Sequence, residues 1–325
     1  MAEPVRWGIV STADINRKLI PGARASPKVD LVAVASRDTG RAEAYAREWQ
    51  IERAFGSYEE LLAEPTIDAV YISLPNTLHC EWSIRALEAG KHVLCEKPLS
   101  RHPDEVDAAF GAAESNGRLL MEAFMYRHHP QTKRLAELVR AGAIGELRLV
   151  RSAFSYALFD ETNIRLRTEL EGGALMDVGC YNVSGSRLLA GEPERVYGEA
   201  WFGPTGTDWV FAGTLRFPGD VVATFDCGTA LTDRDELEAI GSEGSLFVDD
   251  PWHCIEPVIE VRRNDETVEH IEIERLDPYR LELENLSDAI RGEGSPLLGR
   301  DDALAQACVL EALHRSATSG EPVSL

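Results

Sequence analysis

Lysine is scarce in this chain: Lys18, Lys28, Lys91, Lys97 and Lys133 occur, and the other basic positions are arginine. Positive charge as a whole is short. Against 55 Asp and Glu stand 33 Lys and Arg, a formal charge of -22 and a sequence pI near 4.8. Such a field repels polyanions, which argues against binding along a nucleic-acid duplex or to an anionic membrane surface. A local arginine cluster could still hold one small phosphorylated ligand. Paired cysteines are also missing. Cys80, Cys95, Cys180, Cys227, Cys254 and Cys308 are scattered with no CxxC, a pattern of free thiols in a reducing compartment rather than of a disulfide framework or a zinc site. No stretch approaches about 18 uninterrupted apolar residues, and the opening MAEPVRWGIV has no basic region followed by a long apolar run, so no membrane span and a cytoplasmic address are expected.

What is present is the composition of a folded globular protein, 44% hydrophobic and 27% charged, which excludes collagen-like and low-complexity architectures. At 325 residues the chain exceeds the roughly 100 to 150 residues of one core, so two domains are expected. In the first third, Val5 to Val10, Val29 to Ala35, Ala69 to Ser73, His92 to Cys95 and Leu119 to Glu122 read as strands. Between them Ile15 to Arg24, Gly40 to Trp49, Leu78 to Ala89 and Pro103 to Asn116 read as helices, with Gly90 and Gly117 where C-terminal caps belong. That alternation implies an α/β domain over 1–124 with a doubly wound parallel sheet. After about residue 124 the rhythm changes. A helix from Gln131 to Ala141, a strand from Leu147 to Ser155 and a helix from Ala174 to Leu189 precede a strand-rich region, Val196 to Ile273. Its turn signals (Phe217 to Asp220, Gly241 to Gly244, Asn264-Asp265) suggest antiparallel hairpins, and helices Leu281 to Arg291 and Asp301 to Ser316 close the chain. Residues 125–325 are therefore expected to form an α+β domain with a large, open, mostly antiparallel sheet.

Four segments could carry chemistry. The first strand ends in Gly8-Ile9-Val10-Ser11-Thr12-Ala13-Asp14-Ile15 and leads into a helix, the place where a dinucleotide's pyrophosphate meets free amides at a positive helix end. The glycine-rich fingerprint of such turns is absent: its positions hold Ser11, Ala13 and Asn16. These small residues still permit close backbone approach, although a tight turn with no ligand would read the same. At the end of the second strand stands Ser36-Arg37-Asp38. A hydroxyl followed by a guanidinium suits the 2′-phosphate of NADP, whereas Asp38 could serve the ribose of NAD or cap the next helix. In Cys95-Glu96-Lys97-Pro98 a lysine sits at the carboxyl edge of a parallel sheet, where a cation can steady developing charge on oxygen. Finally Gly172-Gly173-Ala174-Leu175-Met176-Asp177-Val178-Gly179-Cys180-Tyr181 reads as a helix start whose glycines allow close approach. Asp177 and Tyr181, four apart, would share a helical face, a plausible proton-transfer pair if positive charge lowers the phenol from about 10.

Together these segments resemble the glucose-fructose oxidoreductase, inositol dehydrogenase and rhizopine-catabolism family over almost the whole chain. Glu96-Lys97-Pro98 and the Gly172 to Tyr181 stretch are the most diagnostic parts, while the first loop departs from the family's commoner glycine-rich form. The runs Glu122 to Arg127 and Asn163-Ile164-Arg165-Leu166 are most similar to the branch of NADP-dependent D-xylose (aldose) dehydrogenases and dimeric dihydrodiol dehydrogenases, which carries Tyr where inositol dehydrogenases carry His. The resemblance implies a Rossmann domain in which Gly8, Ser11 to Ile15, Ser36, Arg37 and Glu96 serve the cofactor. It implies that Leu74-Pro75-Asn76 and His79 line the ribose and nicotinamide side and that Arg165 reaches the cofactor from the second domain. Lys97 and Tyr181 would work on the substrate hydroxyl, with Asp177 beside them and Asn163 on the substrate side. The implied reaction is NADP-dependent oxidation of an aldose at C1 to a lactone, NAD remaining possible. Reduction of a keto sugar and oxidation of a trans-dihydrodiol are the alternatives within the same chemistry, and a non-catalytic NADP or sugar sensor is the alternative outside it. A homodimer or homotetramer through the second domain's sheet is expected. His128-His129 lacks metal-ligand spacing, so local hydrogen bonding is expected there. For Trp201, Trp209 and Trp252 sheet packing is expected, and Glu266 to Glu274 reads as a solvated strand face.

Overall fold

The computed structural model describes residues 3–264 and 266–325; Asp265, half of the expected Asn264-Asp265 turn, lies outside the described residues. The chain begins with β1 (Val5–Val10), α1 (Asn16–Ala25), β2 (Val29–Ala35), α2 (Thr39–Glu48), β3 (Arg53–Phe55), α3 (Tyr58–Ala63), β4 (Ala69–Ile72), α4 (His79–Glu88), β5 (His92–Glu96), α5 (Pro103–Ser115) and β6 (Leu120–Ala123). It continues with α6 (Pro130–Arg140), β7 (Leu147–Ala157), α7 (Cys180–Ala190), β8 (Arg195–Phe202), β9 (Asp208–Arg216), β10 (Val222–Gly228), β11 (Ala230–Gly241) and β12 (Ser245–Val248). The last elements are β13 (Val258–Arg263), β14 (Glu266–Glu272), α8 (Pro278–Ile290), α9 (Arg300–Ser319) and β15 (Val323–Ser324). Two compact units result. One runs through His128 and takes in Asp277–Leu304; the other comprises His129–Leu276 and Ala305–Leu325. A division at 124 and 125 would have counted 277–304 with the second. Packing explains their place: Trp7 Nε1 of β1 donates to Ser287 Oγ of α8 at 3.2 Å, and Lys28 pairs with Asp288 at 2.6 Å.

The first unit is a six-stranded parallel sheet in the order β3-β2-β1-β4-β5-β6, a doubly wound Rossmann sheet. Its strands are buried on both faces, as β4 shows with all four residues enclosed, and near-continuous apolar runs are the consequence. The order reverses between β1 and β4, so the crevice for a ligand opens at their carboxyl ends. Gly90 and Gly117 take positive φ after α4 and α5, the left-handed caps expected of them. β3 and α3 were not legible because three and six residues are too few for a period to emerge.

The second unit is a nine-stranded sheet, β14-β13-β12-β11-β7-β10-β9-β8-β15, antiparallel except where β10 runs parallel to β7. Along β7 the period of two turns Ser152, Phe154 and Tyr156 to one face, and all three meet α7 or the turn before it. Ser152 Oγ accepts from Asn182 Nδ2 at 3.0 Å, the Phe154 ring meets the Tyr181 ring edge to face, and Tyr156 Oη donates to Asp177. Trp209 and Trp252 are buried in this packing, whereas Trp201 is 55% exposed. Among the described residues no helix is long and apolar enough to cross a membrane.

Candidate active site

In the first unit the site is built at the carboxyl ends of β1, β2, β4 and β5. Ser11 leaves β1 at φ 125, a left-handed conformation that an L residue adopts only when its surroundings enforce it. The enforcement is a closed circuit of bonds. Ser11 Oγ donates to Ser73 O at 2.9 Å and accepts from Ala13 N at 3.1 Å. Ser73 Oγ donates to Asn16 Oδ1 at 2.6 Å, and Asn16 Nδ2 returns to Ser11 O at 3.1 Å. The turn is thus fixed by side chains where a glycine-rich loop would rely on backbone freedom. α1 then starts with no side-chain cap and no acidic residue in its first turn. Its Asn16, Arg17 and Lys18 amides donate to the carbonyls of Ala13, Asp14 and Ile15, so what this end offers a pyrophosphate is the positive pole of the helix dipole. Thr12, Ala13 and Ile15 are partly exposed there and Asp14 fully so. Gly8 has a different part: a Cβ on it would lie 3.1 Å from the Leu61 side chain, so it packs β1 against α3.

At the end of β2 the structure separates the three residues of Ser36-Arg37-Asp38. Asp38 accepts from Arg41 N at 2.7 Å and is the N-cap of α2, so its carboxylate is committed to the helix. Ser36 is buried and Arg37 exposed. Arg41, which sequence reasoning passed over, joins Arg37 beside the Tyr58 phenol. Burial pushes that phenol up, and the two guanidiniums pull it partly back. Arg41 lies one helical turn after the Ser36-Arg37 pair, and that spacing was the signal available. The donor set fits a 2′-phosphate better than a free ribose hydroxyl.

The loops after β4 and β5 are tied together by His79. Its Nδ1 lies 2.9 Å from Pro98 O and its Nε2 2.7 Å from Leu74 O. The ring is 1% exposed, and burial holds its pKa below the ordinary imidazole value although both carbonyls raise it. Neutral, the ring donates to one carbonyl only. His79 is therefore a strut between Leu74-Pro75-Asn76 and Lys97-Pro98, with the cleft lined by the loops it holds. Lys97, partly buried, precedes a cis peptide to Pro98 and donates its backbone N–H to Glu96 Oε2 at 3.2 Å. Tyr71 Oη donates to the other oxygen of Glu96. Glu122 receives the Leu99 amide at 2.7 Å. Glu282 of α8 is fully buried; desolvation, then the neighbouring charges of Glu96 and Asp277, push it well above the carboxylate range. Glu96 is thus the base of the loop that presents Lys97.

In the second unit Asp177 is the hub. Arg165 Nε meets Asp177 Oδ1 at 3.2 Å, and Tyr156 Oη is bonded to Oδ2. Burial, then the charge of Asp177, push Tyr156 far above an ordinary phenol. Tyr156 donates rather than ionises. Sequence reasoning missed it because the strand was read only as far as Ser155; the alternation that puts Phe154 on the helix side puts Tyr156 there too. Asn163 Oδ1 accepts from Arg165 N at 3.1 Å and caps the 3₁₀ turn Ile164–Leu166 that carries Arg165, so Asn163 shapes the loop. Asp177 belongs to a five-residue π turn, Leu175–Gly179, ahead of α7. The π turn widens the expected four-residue stacking of Asp177 on Tyr181. Tyr181 is 6% exposed, its ring centroid 5.3 Å from Phe154 and 5.9 Å from Trp252. Beyond Phe154 lies His253, whose Nδ1 is 2.6 Å from Asp235. Asp250 completes a trio of ligand-type atoms within 4.8 Å, but it accepts the amides of His253, Cys254, Ile255 and Glu256 and clasps their loop. His129 accepts from Gln131 N at 3.1 Å as the N-cap of α6, the local bonding expected for it.

Comparison with known proteins gives a consistent picture. The profile of the GFO/IDH/MocA oxidoreductases, an oxidoreductase family with a NAD-binding Rossmann fold, matches residues 5–124, and that of the GFO/IDH/MocA C-terminal domain matches residues 132–247. An uncharacterized oxidoreductase of Rhizobium meliloti is 39% identical over 97% of this chain and 98% of its own length. D-xylose 1-dehydrogenase (NADP(+)) 2 of Haloferax volcanii is 39% identical over 98% of this chain and 99% of its own. Among solved structures, KijD10, a 3-ketoreductase from Actinomadura kijaniata in complex with NADP and TDP-benzene, superposes with a TM-score of 0.90 at 31% identity, covering 96% of this chain and 98% of that one.

Proposed function

The chain belongs to the GFO/IDH/MocA oxidoreductase family, and from that premise we propose that it transfers hydride between NADP and a hydroxyl of a sugar or polyol. An aldose of the D-xylose kind, oxidised at C1 to its lactone, is the substrate the reading favours. The observation that carries it is Tyr181, a buried phenol on the helix that follows a carboxylate fixed between Arg165 and Tyr156. Full-length similarity to the D-xylose 1-dehydrogenase supports the choice of sugar.

NADP, when bound, supplies the nicotinamide carbon that takes up or gives back the hydride. The positive end of α1 would face the pyrophosphate, with Ser11, Thr12 and Ala13 allowing close approach. Arg37 and Arg41 hold the 2′-phosphate by charge-assisted bonds, and Leu74, Pro75 and Asn76 line the ribose and nicotinamide side. Lys97 holds the substrate oxygen, and Tyr181 Oη accepts its proton; the lysine cation lowers the cost of the tyrosinate. Asp177 and Arg165 orient substrate and cofactor on that side. Keto-sugar reduction by the same residues is the second reading, favoured by the similarity to the 3-ketoreductase KijD10. We further infer a cytoplasmic homodimer or homotetramer that uses the open face of the nine-stranded sheet.

The test is a panel of D-xylose, other aldoses, inositols and trans-dihydrodiols with NADP and with NAD, followed by NADPH or NADH absorbance, and of keto sugars with NADPH. Aldoses with NADP are expected to give the fastest turnover. Turnover with none of the aldoses, or a preference for NAD, would count against the proposal.

A further inference from the structure

Asp208 opens β9 and is buried. Its Oδ2 accepts from Leu175 N at 2.7 Å, and the neighbouring amides of Ala174 and of Asp208 itself also favour its charged form. Among the described residues no cation pairs with it. The positive charge it meets is therefore that of backbone N–H groups at the start of the segment that carries Asp177 and Tyr181. The sequence makes room for it. A Cβ at Gly173, where φ is +126, would lie 1.9 Å from Asp208 Oδ1. At Gly172 a Cβ would lie 2.3 Å from Arg165 O. The glycine pair thus lets a carboxylate and the Arg165 loop close on one turn of backbone.

We propose that Asp208 is a positioning residue of the reaction: as a carboxylate it clamps the π turn at Leu175, and this clamp sets where Asp177 and Tyr181 stand. The inference rests on the reading of Tyr181 and Asp177 given above. A serine or asparagine would satisfy the Leu175 amide as a neutral acceptor, whereas a full negative charge makes that bond charge-assisted and complements the dipole. Holding that charge in a dry site is expensive, and burial accordingly pushes Asp208 up to about 7. The groups around it do not compensate. On β10, Cys227 is a buried thiol held well above its ordinary range, with Asp208, Cys180 and Asp177 all bearing on it. Across from Asp208 on β8 is Phe202. In the preceding loop Arg167 and Glu169 pair with each other at the surface. The clamp's charge therefore varies near neutrality, which gives it a signature.

The experiment measures kcat and KM for D-xylose with NADP between pH 6 and 8. Wild type, Asp208→Asn and Tyr181→Phe are compared. In the wild type kcat is expected to rise through a midpoint near 7 as the carboxylate forms. In Asp208→Asn that rise should be absent, and kcat at pH 8 should be about tenfold below wild type with KM changed less. An acid limb that persists unchanged in this variant overturns the proposal. If kcat of Asp208→Asn stays within about twofold of wild type while Tyr181→Phe is crippled, Asp208 is merely structural and the inference falls with the functional reading intact. If Tyr181→Phe is as active as wild type, the functional reading falls and the inference with it. Should Asp208→Asn fail to fold, the wild-type pH profile decides: a kcat that does not change between pH 6 and 8 overturns the proposal.

Discussion

On the proposed reading cofactor choice turns on Arg37 and Arg41, because Asp38 between them is committed to capping α2. Loss of one charge-assisted contact to a 2′-phosphate costs about 1 to 3 kcal/mol. Arg37→Ala should weaken NADP by that amount and leave NAD nearly unchanged, and Arg41→Ala should act in the same direction. Equal losses for both cofactors in titration calorimetry would refute the assignment. Asp208 gives a prediction about stability that is independent of turnover. Its folded-state pKa, about 7, lies above the ordinary carboxyl value of about 4. Between those values the folded chain keeps a proton that the unfolded chain has released. The group's stabilising contribution is therefore full below about pH 4 and is lost as pH rises through 7, a span of order 4 kcal/mol at most. Urea unfolding at pH 5 and pH 8 should show this loss in the wild type and a flatter profile in Asp208→Asn; parallel profiles would contradict it. None of this could be read from the sequence, where Asp208 is one acid among 55, since its distinction comes from the turn packed upon it.

Among the elements, those with a clear period were legible. The strands Val5–Val10 and Val29–Ala35 fall where alternating and continuous apolar runs place them, and the helices α1, α2, α4 and α5 begin and end within one residue of expectation. The turn before α7 was not legible, because a π turn and an α turn share one pattern of side chains over five residues. The Gly172-Gly173 pair did announce close approach, though not what approaches. Two glycine substitutions separate packing from propensity. Gly173→Ala puts a Cβ against Asp208 at a positive φ and should destabilise by roughly 1 to 3 kcal/mol. Gly111→Ala, in the middle of α5 with nothing within 4 Å of its Cβ, should stabilise by roughly 0.5 to 1 kcal/mol. Thermal unfolding of the two variants checks both signs; a Gly173→Ala protein as stable as wild type would show that the clamp at Leu175 is loose.

For the whole molecule, the nine-stranded sheet keeps α7 on one face and on the other bears a groove of about 470 Å³ lined by Arg151, Tyr197, Glu199, Arg234, Glu236 and Phe247, among others. Tyr197, Trp201 and Phe202 are exposed along β8. A broad sheet face with aromatic residues and charges of both signs suits a second copy of the chain. Light scattering at micromolar concentration should report at least twice the 35.8 kDa of one chain, and a mass of one chain would refute the assembly. The central claim concerns chemistry, and Lys97 and Tyr181 are expected to act as one unit, so that Lys97→Met combined with Tyr181→Phe is little worse than either alone. The most direct measurement is the turnover of Tyr181→Phe with D-xylose and NADP beside its affinity for NADP. The account predicts a fall in kcat of roughly 100-fold or more with NADP binding unchanged, and turnover within a few-fold of wild type would contradict it by showing Tyr181 to be a packing residue.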